Sequence, residues 1–457
     1  MTTKENKINM RELSLNMLME ILEEGKYSNA VILNTLKNYQ YLQKQDRAFL
    51  TRLTEGVIER LIELDYIINI FSKVKVKKQK PVIRNILRMG VYQIKYMDQV
   101  PESAACNEAV KLANKKGFYN LKGFVNGVLR NIARNLETIS YPDRKKDRIG
   151  YFSVTYSMPE WIVSLWLDSY GENITEKMLV ASMEEKKTTI RCNSRNGKKE
   201  DLKKRLETEG VTVENGVYAK EALKISNYNY IDKLPGFYEG DFSVQDESSM
   251  LVGVVSGVKE NDNVIDVCAA PGGKSLHISE LMNGTGMISA RDISENKVAL
   301  IDENIKRLNA HNVTTKVWNA EKADTEWVDK ADVVIADLPC SGLGVLGKKN
   351  DIKYKTSKES IEELAELQRK ILTTASSYVK QGGTLIYSTC TVDLEENNKN
   401  VTWFLEQYKD KFELVSLNPY LPETLQNEQT EKGYLQLFPG IHKTDGFFLA
   451  KFRRNVV

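Results

Sequence analysis

Two cysteines stand in short motifs that each follow an apolar run of the chain. Cys340 lies in DLPCSGLG (337–344), and Cys390 lies in YSTCT (387–391). A single cysteine is more often a small core residue than a nucleophile. Two cysteines at neighbouring strand ends would open onto one face, and this pattern favours a thiol nucleophile with a second thiol for proton handling or product release.

The stretch DVCAAPGGKS (266–275) follows another apolar run and resembles a P-loop whose first glycine is replaced by Cys268. A triphosphate site needs a nest of backbone N–H groups, and Cys268 and Pro271 remove room and a donor from it. Gly272 and Gly273 still allow a ligand to approach the backbone closely. We therefore expect a nucleoside-binding loop rather than a triphosphate site.

A carboxylate follows the next apolar run at a distance typical of cofactor sites. Asp292 comes nineteen residues after Gly273, near the spacing at which an acid receives the ribose hydroxyls of an adenosine cofactor. The first turn lacks the G-x-G-x-x-G pattern of dinucleotide folds, which favours S-adenosylmethionine. The alternative interpretation is that Asp292 is only a polar residue at the end of a strand.

Methyl transfer to a pyrimidine would use both the cofactor and the thiols. C5 of a pyrimidine is a poor nucleophile, and addition of a thiolate to C6 makes C5 electron-rich enough to accept a methyl group. A base then removes the C5 proton and the thiol leaves. Asp337, three residues before Cys340, is a candidate to hydrogen-bond the base, and a contact to the cofactor or backbone is an equally open role for it.

These residues need a parallel sheet to bring them together. Apolar runs at 263–267, 286–292, 331–338 and 382–389 alternate with helical patterns, as expected for buried parallel strands that helices cover on both faces. In such a sheet, ligands bind beyond the carboxyl ends of the strands. The sequence therefore predicts an α/β, Rossmann-like domain over 236–457 with its site at that edge.

Two further parts precede this domain. Residues 1–140 carry apolar side chains at three- and four-residue spacings and predict an all-α domain. Residues 150–235 predict a small α+β module, with a strand at 189–193 and an amphipathic helix over 199–209. The polar segment SYPDRKKDRIG (140–150) is the predicted linker.

Composition excludes several protein classes. A chain of 457 residues, 41% of them hydrophobic, predicts two or three folded domains. No run of about 18 apolar residues occurs, and the start MTTKENKINM lacks an export signal, so we expect a cytoplasmic protein without a membrane span. Five scattered cysteines without a CxxC pair and three isolated histidines predict neither disulfides nor a metal site.

Charge is distributed unevenly along the chain. Residues 1–140 contain 23 Lys and Arg against 14 Asp and Glu, whereas the remainder contains 42 against 48. A basic segment of this kind favours an anionic partner, nucleic acid being the commonest, and a solvated basic surface is the alternative.

CAAPGGKS, DLPCSGLG and YSTCT together resemble the three signature motifs of the RNA cytosine-C5 methyltransferases, the Nol/Nop/Sun family. The stretch FVNGVLRNIAR (124–134) resembles part of a NusB-like RNA-binding domain, a combination found in bacterial members that act on 16S (small-subunit) rRNA. The resemblance implies methyl transfer from S-adenosylmethionine to C5 of a specific cytosine in that RNA, through a covalent cysteine–C6 adduct. The sequence indicates no obligate protein partner.

The resemblance also assigns roles to residues. Cys390 corresponds to the nucleophile, and Cys340 to the cysteine that assists product release. Asn319 stands where the family usually has an acid, and its amide can still hydrogen-bond an adenine edge. The positions that correspond to cofactor contacts are Cys268, Ala269, Ala270, Pro271, Gly272, Gly273, Lys274, Asp292, Asn319 and Asp337.

Two other functions remain open. The shared motifs do not distinguish rRNA from tRNA as the substrate, and only the NusB-like part favours rRNA. A non-catalytic RNA-binding adaptor that relies on the NusB-like domain is the alternative from another class. The presence of both thiols and of the complete loop favours an enzyme.

Overall fold

The computed structural model describes residues 8–456. The part of the predicted helical domain in residues 1–7, and the prediction that no export signal begins there, lie outside the described residues. Within 8–456 the chain forms two compact units. One contains the residues up to Glu184 together with Leu346–Lys355, and the other contains Glu185–Val345 and the residues from Thr356 onward.

The first unit is helical, as the spacing of its apolar side chains predicts. The apolar faces of its helices bury a common core that includes Leu18, Leu53, Ile68, Leu87 and Leu129. The prediction of an all-α N-terminal domain is therefore confirmed. The helices are α1 Met10–Leu22, α2 Ser28–Asn38, α3 Lys44–Glu59, α4 Leu61–Phe71, α5 Pro81–Tyr96, α6 Glu102–Lys115, α7 Lys122–Asn135, α8 Arg148–Thr155 and α9 Glu160–Met183.

Two helices and one later segment belong to this unit although the sequence assigns them to other domains. Helices α8 and α9 precede the sheet of the module predicted over 150–235 and pack in the helical unit. Leu346–Lys355, from the domain predicted over 236–457, also belongs there, and Lys353 Nζ donates to the Glu59 carbonyl at 3.0 Å. The predicted domain boundaries stay predictions. The segment Leu346–Lys355 is held in the helical unit by tertiary contacts, and such contacts leave no periodic pattern in a sequence.

The second unit begins with a small antiparallel sheet. Its strands are ordered β2-β3-β1-β4, and one helix packs on it. The predicted strand and amphipathic helix of the middle module are confirmed within one residue at each end. The elements are β1 Thr188–Cys192, α10 Lys199–Thr208, β2 Thr212–Asn215, β3 Ala222–Ser226 and β4 Phe242–Val244.

The rest of this unit is an eight-stranded mixed sheet with helices on both faces. Strands β5 to β9 are parallel, β12 runs antiparallel to β9, and β10 and β11 pair with β12. The elements are α11 Glu247–Ser256, β5 Asn263–Asp266, α12 Gly273–Leu281, β6 Met287–Asp292, α13 Glu295–Leu308, β7 Val313–Val317, β8 Ala331–Asp337, α14 Lys358–Tyr378, β9 Val379–Thr389, α15 Asn398–Tyr408, β10 Phe412–Leu414, α16 Glu428–Glu431, β11 Tyr434–Leu437 and β12 Phe447–Arg454.

Alternating side chains of the central strands serve two separate cores. Val264 of β5 and Val333 of β8 pack with α11, α12 and α13, while Ile265 and Val334 face α14 and α15. Both faces of these strands are therefore apolar, which explains the continuous hydrophobic runs in the sequence. The Rossmann-like α/β prediction for this part of the chain is confirmed.

The strand order places the first loop of the sheet at a reversal of chain direction. The path runs β10-β12-β9-β8-β5-β6-β7, so β5 lies between β6 and β8. The chain moves outward on one side through β6 and β7 and then returns to the other side of β5. Ligands of open α/β sheets bind at such a reversal, beyond the carboxyl ends of the strands. Within residues 8–456, no helix has the length and apolar character needed to cross a bilayer.

Candidate active site

The loop between β5 and α12 is a tight turn fastened to the end of β6. Gly272 has φ +100°, a conformation that side-chain-bearing residues rarely adopt, and its N–H donates to the Ala269 carbonyl at 2.6 Å. The Ala269 N–H donates to the Arg291 carbonyl at 2.7 Å. A Cβ on Gly272 would lie 3.2 Å from Ile301. Glycine is therefore needed here for backbone conformation and for close packing against α13.

A buried carboxylate closes the base of this loop. Asp266, the last residue of β5, accepts a hydrogen bond from Ser275 Oγ of α12 at 2.6 Å. Burial raises the pKa of Asp266 to about 7. Its second oxygen, Oδ1, has no hydrogen-bond partner among the described residues. This carboxyl group therefore titrates near neutral pH directly beneath the loop.

The predicted acid at the end of β6 lies against the loop. Asp292 is buried, and its Oδ2 accepts the Ala270 N–H at 3.0 Å. Its Oδ1 accepts the Ile293 N–H at 2.8 Å and pairs with Lys297 Nζ at 3.0 Å. A carboxylate has about four lone-pair sites, so one acceptor position on Asp292 is left for a ligand hydroxyl.

The third strand end along this side carries Asn319. The Trp318 N–H donates to the Asp292 carbonyl at 2.9 Å, which places the chain after β7 beside the end of β6. Asn319 is half-buried, and its Oδ1 accepts the Glu321 N–H at 2.9 Å. No hydrogen bond joins Asn319 to the loop 268–274 among the described residues. The end of β7 thus lies next to that of β6 without a direct link from Asn319 to the loop.

The two motif cysteines meet at the ends of β8 and β9. Their Sγ atoms are 3.2 Å apart, within hydrogen-bonding distance for thiols. Asp337 of β8 is opposite Ser388 of β9 in the parallel register, and the Gly344 N–H donates to the Cys390 carbonyl at 3.1 Å. The hydrogen bond to Cys390, followed by burial, raises the pKa of Cys340 well above its ordinary value. The Cys340 thiol therefore holds its proton more tightly than an ordinary cysteine does.

Lys274 connects the loop 268–274 to the end of β8, from which the chain continues to Cys340. Its Nζ pairs with Asp337 Oδ2 at 2.6 Å, and Ser388 Oγ donates to Asp337 Oδ1 at 2.7 Å. Burial alone would lower the pKa of Lys274, but the negative charges of Asp337, Asp266 and Cys390 raise it. Lys274 is thus a half-buried cation whose field favours the thiolate form of Cys390.

The residues predicted for the site lie in loops, at strand ends or, for Gly273 and Lys274, in the first turn of α12, at the carboxyl edge of β5 to β9. Their roles stay predictions, but their proximity follows from the parallel sheet. Direct contacts between residues of different strand ends or loops join Ala270 with Asp292, Lys274 with Asp337, and Cys340 with Cys390.

Two residues that hold the site were missed by the sequence analysis. Arg191 of β1 is fully buried, pairs with Glu280 Oε1 of α12 at 2.7 Å, and donates to the Gly273 carbonyl at 3.0 Å. Glu396 is fully buried and accepts the Ser341 N–H, next to Cys340, at 2.9 Å and Gln368 Nε2 at 2.9 Å. A charged residue inside a short apolar strand was a signal for Arg191, whereas no spacing in VDLEENN distinguishes Glu396 from its neighbour Glu395.

The arrangement fits an adenosine cofactor better than a nucleoside triphosphate. The turn at Gly272 brings the loop backbone to the edge of the sheet, and Asp292 offers one acceptor beside it. The lysine of the loop is already neutralised by Asp337 and is therefore not available as a phosphate ligand. Within residues 8–456, no cluster of three or more His, Cys, Asp or Glu side chains could hold a metal ion.

Three protein families match successive parts of the chain. Residues 8–134 match the NusB family, and residues 158–232 match the ferredoxin-like domain of RsmF/B-like methyltransferases. Residues 254–453 match the family described as 16S rRNA methyltransferase RsmB/F.

Similar proteins cover nearly the whole chain. The probable ribosomal RNA small subunit methyltransferase B of Bacillus subtilis (strain 168) is 36% identical over 450 residues, 98% of this chain and 99% of that protein. The ribosomal RNA small subunit methyltransferase B of Proteus mirabilis (strain HI4320) is 30% identical over 404 residues, 88% of this chain and 92% of that protein.

Two solved structures also share the fold. The crystal structure of PH0851 has a TM-score of 0.81 and 26% identity, over 98% of this chain and 100% of that one. A methyltransferase homolog protein from Pyrococcus horikoshii has a TM-score of 0.57 and 28% identity, over 67% of this chain and 98% of that one.

Proposed function

Because the chain belongs to the family of ribosomal RNA small subunit methyltransferase B, we propose that it methylates C5 of a cytosine in 16S rRNA through a covalent bond between Cys390 and C6 of the base. The methyl donor in this proposal is S-adenosylmethionine. The observation that carries the proposal is the thiol pair, with Cys340 Sγ 3.2 Å from Cys390 Sγ at the carboxyl edge of a methyltransferase sheet.

The loop 268–274, Asp292 and Asn319 would hold the cofactor. The free acceptor position of Asp292 suits a ribose hydroxyl, and the loop backbone lies beside it. Asn319 follows β7 and would meet the adenine edge with its amide. When bound, S-adenosylmethionine supplies an electrophilic methyl group on a sulfonium sulfur.

Cys390 makes cytosine C5 reactive. Its thiolate adds to C6, a carbon–sulfur bond forms, and the electron pair of the C5–C6 double bond raises the electron density at C5. Lys274 favours the thiolate form of Cys390 by its positive charge. Asp337, held by Lys274 and by Ser388, is positioned to take hydrogen bonds from the base and to balance charge there.

Cys340 completes the cycle by handling a proton. Once C5 carries the methyl group, a base must remove the C5 proton, and the C–H electron pair re-forms the double bond while the Cys390–C6 bond breaks. Cys340 lies beside Cys390 and holds its proton tightly, so its thiol is suited to donate a hydrogen bond to the departing sulfur. Cys390 leaves C6 with the electron pair of the carbon–sulfur bond and is again the thiolate that began the cycle.

The RNA must present a single base to this site. A cytosine in a helix or loop has to be flipped out of its stack before Cys390 can reach C6. The basic N-terminal residues, in the part that matches the NusB family, would attract the phosphate backbone. That part of the chain also favours small-subunit rRNA over tRNA.

Transfer of a tritiated methyl group from S-adenosylmethionine tests the proposal. Protein-free 16S rRNA and bulk tRNA are offered in parallel, and the nucleosides are separated after digestion. We expect label in 5-methylcytidine from rRNA only. Label in tRNA would retain the chemistry and overturn the substrate. A lack of label in naked rRNA, tRNA and assembling small subunits would support a non-catalytic RNA-binding adaptor instead.

A further inference from the structure

One buried carboxylate fixes the turn that carries Cys340. Glu396 Oε2 accepts the Ser341 N–H at 2.9 Å and Gln368 Nε2 at 2.9 Å, and its Oε1 accepts the Ser341 hydroxyl. Gln368 Nε2 also donates to the Pro339 carbonyl at 2.8 Å. The residues on both sides of Cys340 are thus held by Glu396, directly or through Gln368.

The same carboxylate belongs to the chain that carries Cys390. Glu396 comes six residues after Cys390, between β9 and α15. The hydroxyls of Ser341 and Thr391 lie 2.8 Å apart, and the Tyr387 hydroxyl donates to the Glu396 carbonyl. Glu396 therefore joins the two cysteine motifs to each other.

Charges on the two sides of the thiol pair have opposite signs. The Cys340 side faces Glu396, which adds to the effect of Cys390 and of burial in raising the pKa of Cys340. The Cys390 side faces the Lys274 cation. Both groups are cysteine thiols, so the opposite charges beside them are a physical reason for the two thiols to lose their protons with different ease.

The other titratable groups packed around Glu396 do not reverse this asymmetry. Burial raises the pKa of Asp393, whose Oδ1 accepts the Glu396 N–H at 3.2 Å. Burial also raises the pKa of Tyr387, so its phenol stays neutral. Arg369 is bound to Asn400 Oδ1 at 2.8 Å rather than to Glu396. Burial raises the pKa of Glu396 itself to about 7, so its charge is present above neutral pH.

We propose that Glu396 is a positioning residue for the thiol pair. It holds the turn 339–341 so that Cys340 lies against Cys390, and its carboxylate keeps the proton of the pair on Cys340, which leaves Cys390 as the nucleophile. Its effect on methyl transfer rests on the function proposed above, whereas the proton state of the two thiols is a property of the protein alone.

Three variants separate geometry from charge. Glu396→Gln removes the charge and keeps the turn, because the amide oxygen can accept from Ser341 N–H and Gln368, while its NH₂ donates to Ser341 Oγ. Glu396→Ala removes both. Glu395→Gln is the matched control, since Glu395 is a neighbouring, more exposed carboxylate paired with Lys399.

Alkylation of the thiols by iodoacetamide tests the charge directly, without RNA or cofactor. Initial rates at Cys340 and Cys390 are followed by peptide mass spectrometry from pH 6 to 9. In the wild type and in Glu395→Gln we expect Cys390 to react first. In Glu396→Gln we expect the ratio of Cys340 to Cys390 rates at pH 8 to rise about tenfold, the change expected for one unit of pKa. An unchanged ratio would overturn the proposal.

Methyl transfer by the same variants tests the consequence. With turn geometry lost, Glu396→Ala should lower kcat by about 100-fold with little change in KM for RNA or for S-adenosylmethionine. Glu396→Gln should recover part of kcat, and the alkaline limb of its pH profile should move to lower pH. A purely structural role would change the melting temperature and leave the alkylation ratio and the pH profile as in the wild type. If the wild type transferred no methyl group, the proposed function would fail while the alkylation result still decided the role of Glu396.

Discussion

The loop 268–274 and the thiol pair Cys340–Cys390 lie at the same edge of the sheet, but different kinds of contact form them. The loop 268–274 is one continuous stretch; its turn depends on the conformation of Gly272 and on the local hydrogen bond from Gly272 to Ala269, and further hydrogen bonds fasten it to the end of β6. The thiol pair joins two residues 50 positions apart and exists only because β8 and β9 pair in one register. A shift of that register would move the two cysteine motifs apart while leaving the loop intact.

The chemistry of the loop is determined by neighbouring residues in the sequence, whereas that of the thiol pair is determined by residues that folding brings close. The loop carries its information in residue types that can be recognised in the sequence. The sequence alone does not show which of the two thiols loses its proton more easily. In the folded protein that difference comes from charged neighbours, namely Glu396 beside Cys340 and Lys274 beside Cys390. Variants that remove one neighbour at a time should therefore affect the two parts differently.

Removal of Cys390, the proposed nucleophile, should have the largest effect. We expect Cys390→Ala to lower methyl transfer by about four orders of magnitude or more, because no other group can form the bond to C6. Binding of S-adenosylmethionine, measured by calorimetry, should stay within about threefold of the wild type. Cys192→Ala, which changes a buried cysteine of β1, is the control and should retain transfer. Normal transfer by Cys390→Ala would remove the proposed mechanism.

Removal of the second thiol should produce a different defect. In Cys340→Ala the carbon–sulfur bond still forms but is released slowly, so a covalent protein–RNA adduct should accumulate and turnover should fall by about 100-fold or more. A denaturing gel after incubation with RNA and cofactor detects the adduct. Its appearance with Cys390→Ala instead would exchange the roles of the two cysteines.

Substitution of Lys274, which links the loop 268–274 to Asp337, should have an intermediate effect on methyl transfer. Lys274→Met leaves Asp337 without its cationic partner and removes the positive charge that favours the Cys390 thiolate, so kcat should fall by roughly 10- to 100-fold. Alkylation of Cys390 at pH 7 should slow in parallel. Lys306→Met, at an exposed position of α13, is the control. A loss of kcat with unchanged Cys390 alkylation would assign Lys274 to substrate contact alone.

A variant of the cofactor side should leave the thiols unaffected. Asp292→Asn keeps the shape of the side chain and removes its charge, so the Kd for S-adenosylmethionine should rise by about tenfold, the typical value of one charge-assisted hydrogen bond. Equilibrium dialysis measures the Kd, and the ratio of Cys340 to Cys390 alkylation should match the wild type. An unchanged Kd would favour the alternative that Asp292 only ends a strand.

The last expected effect concerns stability rather than methyl transfer. The pKa of Asp266 is raised to about 7 in the folded protein, so the folded state binds its proton more tightly than the unfolded state does. Its contribution to stability is fully present below the ordinary carboxyl pKa and is lost as pH rises through about 7. In Asp266→Asn, the fall in the free energy of unfolding between pH 4 and pH 8 should be smaller by up to roughly 4 kcal/mol. Urea unfolding at the two pH values measures it, and an equal fall in both proteins would contradict the assignment.

Several features of the fold could be predicted because they are local. Helices α1 to α7 show apolar residues at helical spacing, and each of the strands β5, β6, β8 and β9 contains a short apolar run. The loop 268–274 and both cysteine motifs follow such runs directly. Their placement at one edge required only the general behaviour of parallel strands.

The remaining features could not be predicted from local patterns. The ten residues Leu346–Lys355 pack in the helical unit, although they follow a catalytic-domain motif in the chain. Arg191 supports the loop from the small sheet, at a sequence separation of 82 from Gly273. Such contacts depend on which segments meet in three dimensions, and a window of a few residues holds no record of them.

The sequence by itself determined the residue types of the site, the strands that end beside them and the order in which they occur. Only the tertiary structure decided that Cys340 touches Cys390, that Lys274 pairs with Asp337, and that Glu396 rather than Glu395 is buried beneath the Cys340 turn. The physical reason is that hydrophobic periodicity acts over neighbouring residues. The electrostatic environment of a thiol, in contrast, is the sum of charges that folding brings within a few ångströms from distant parts of the chain.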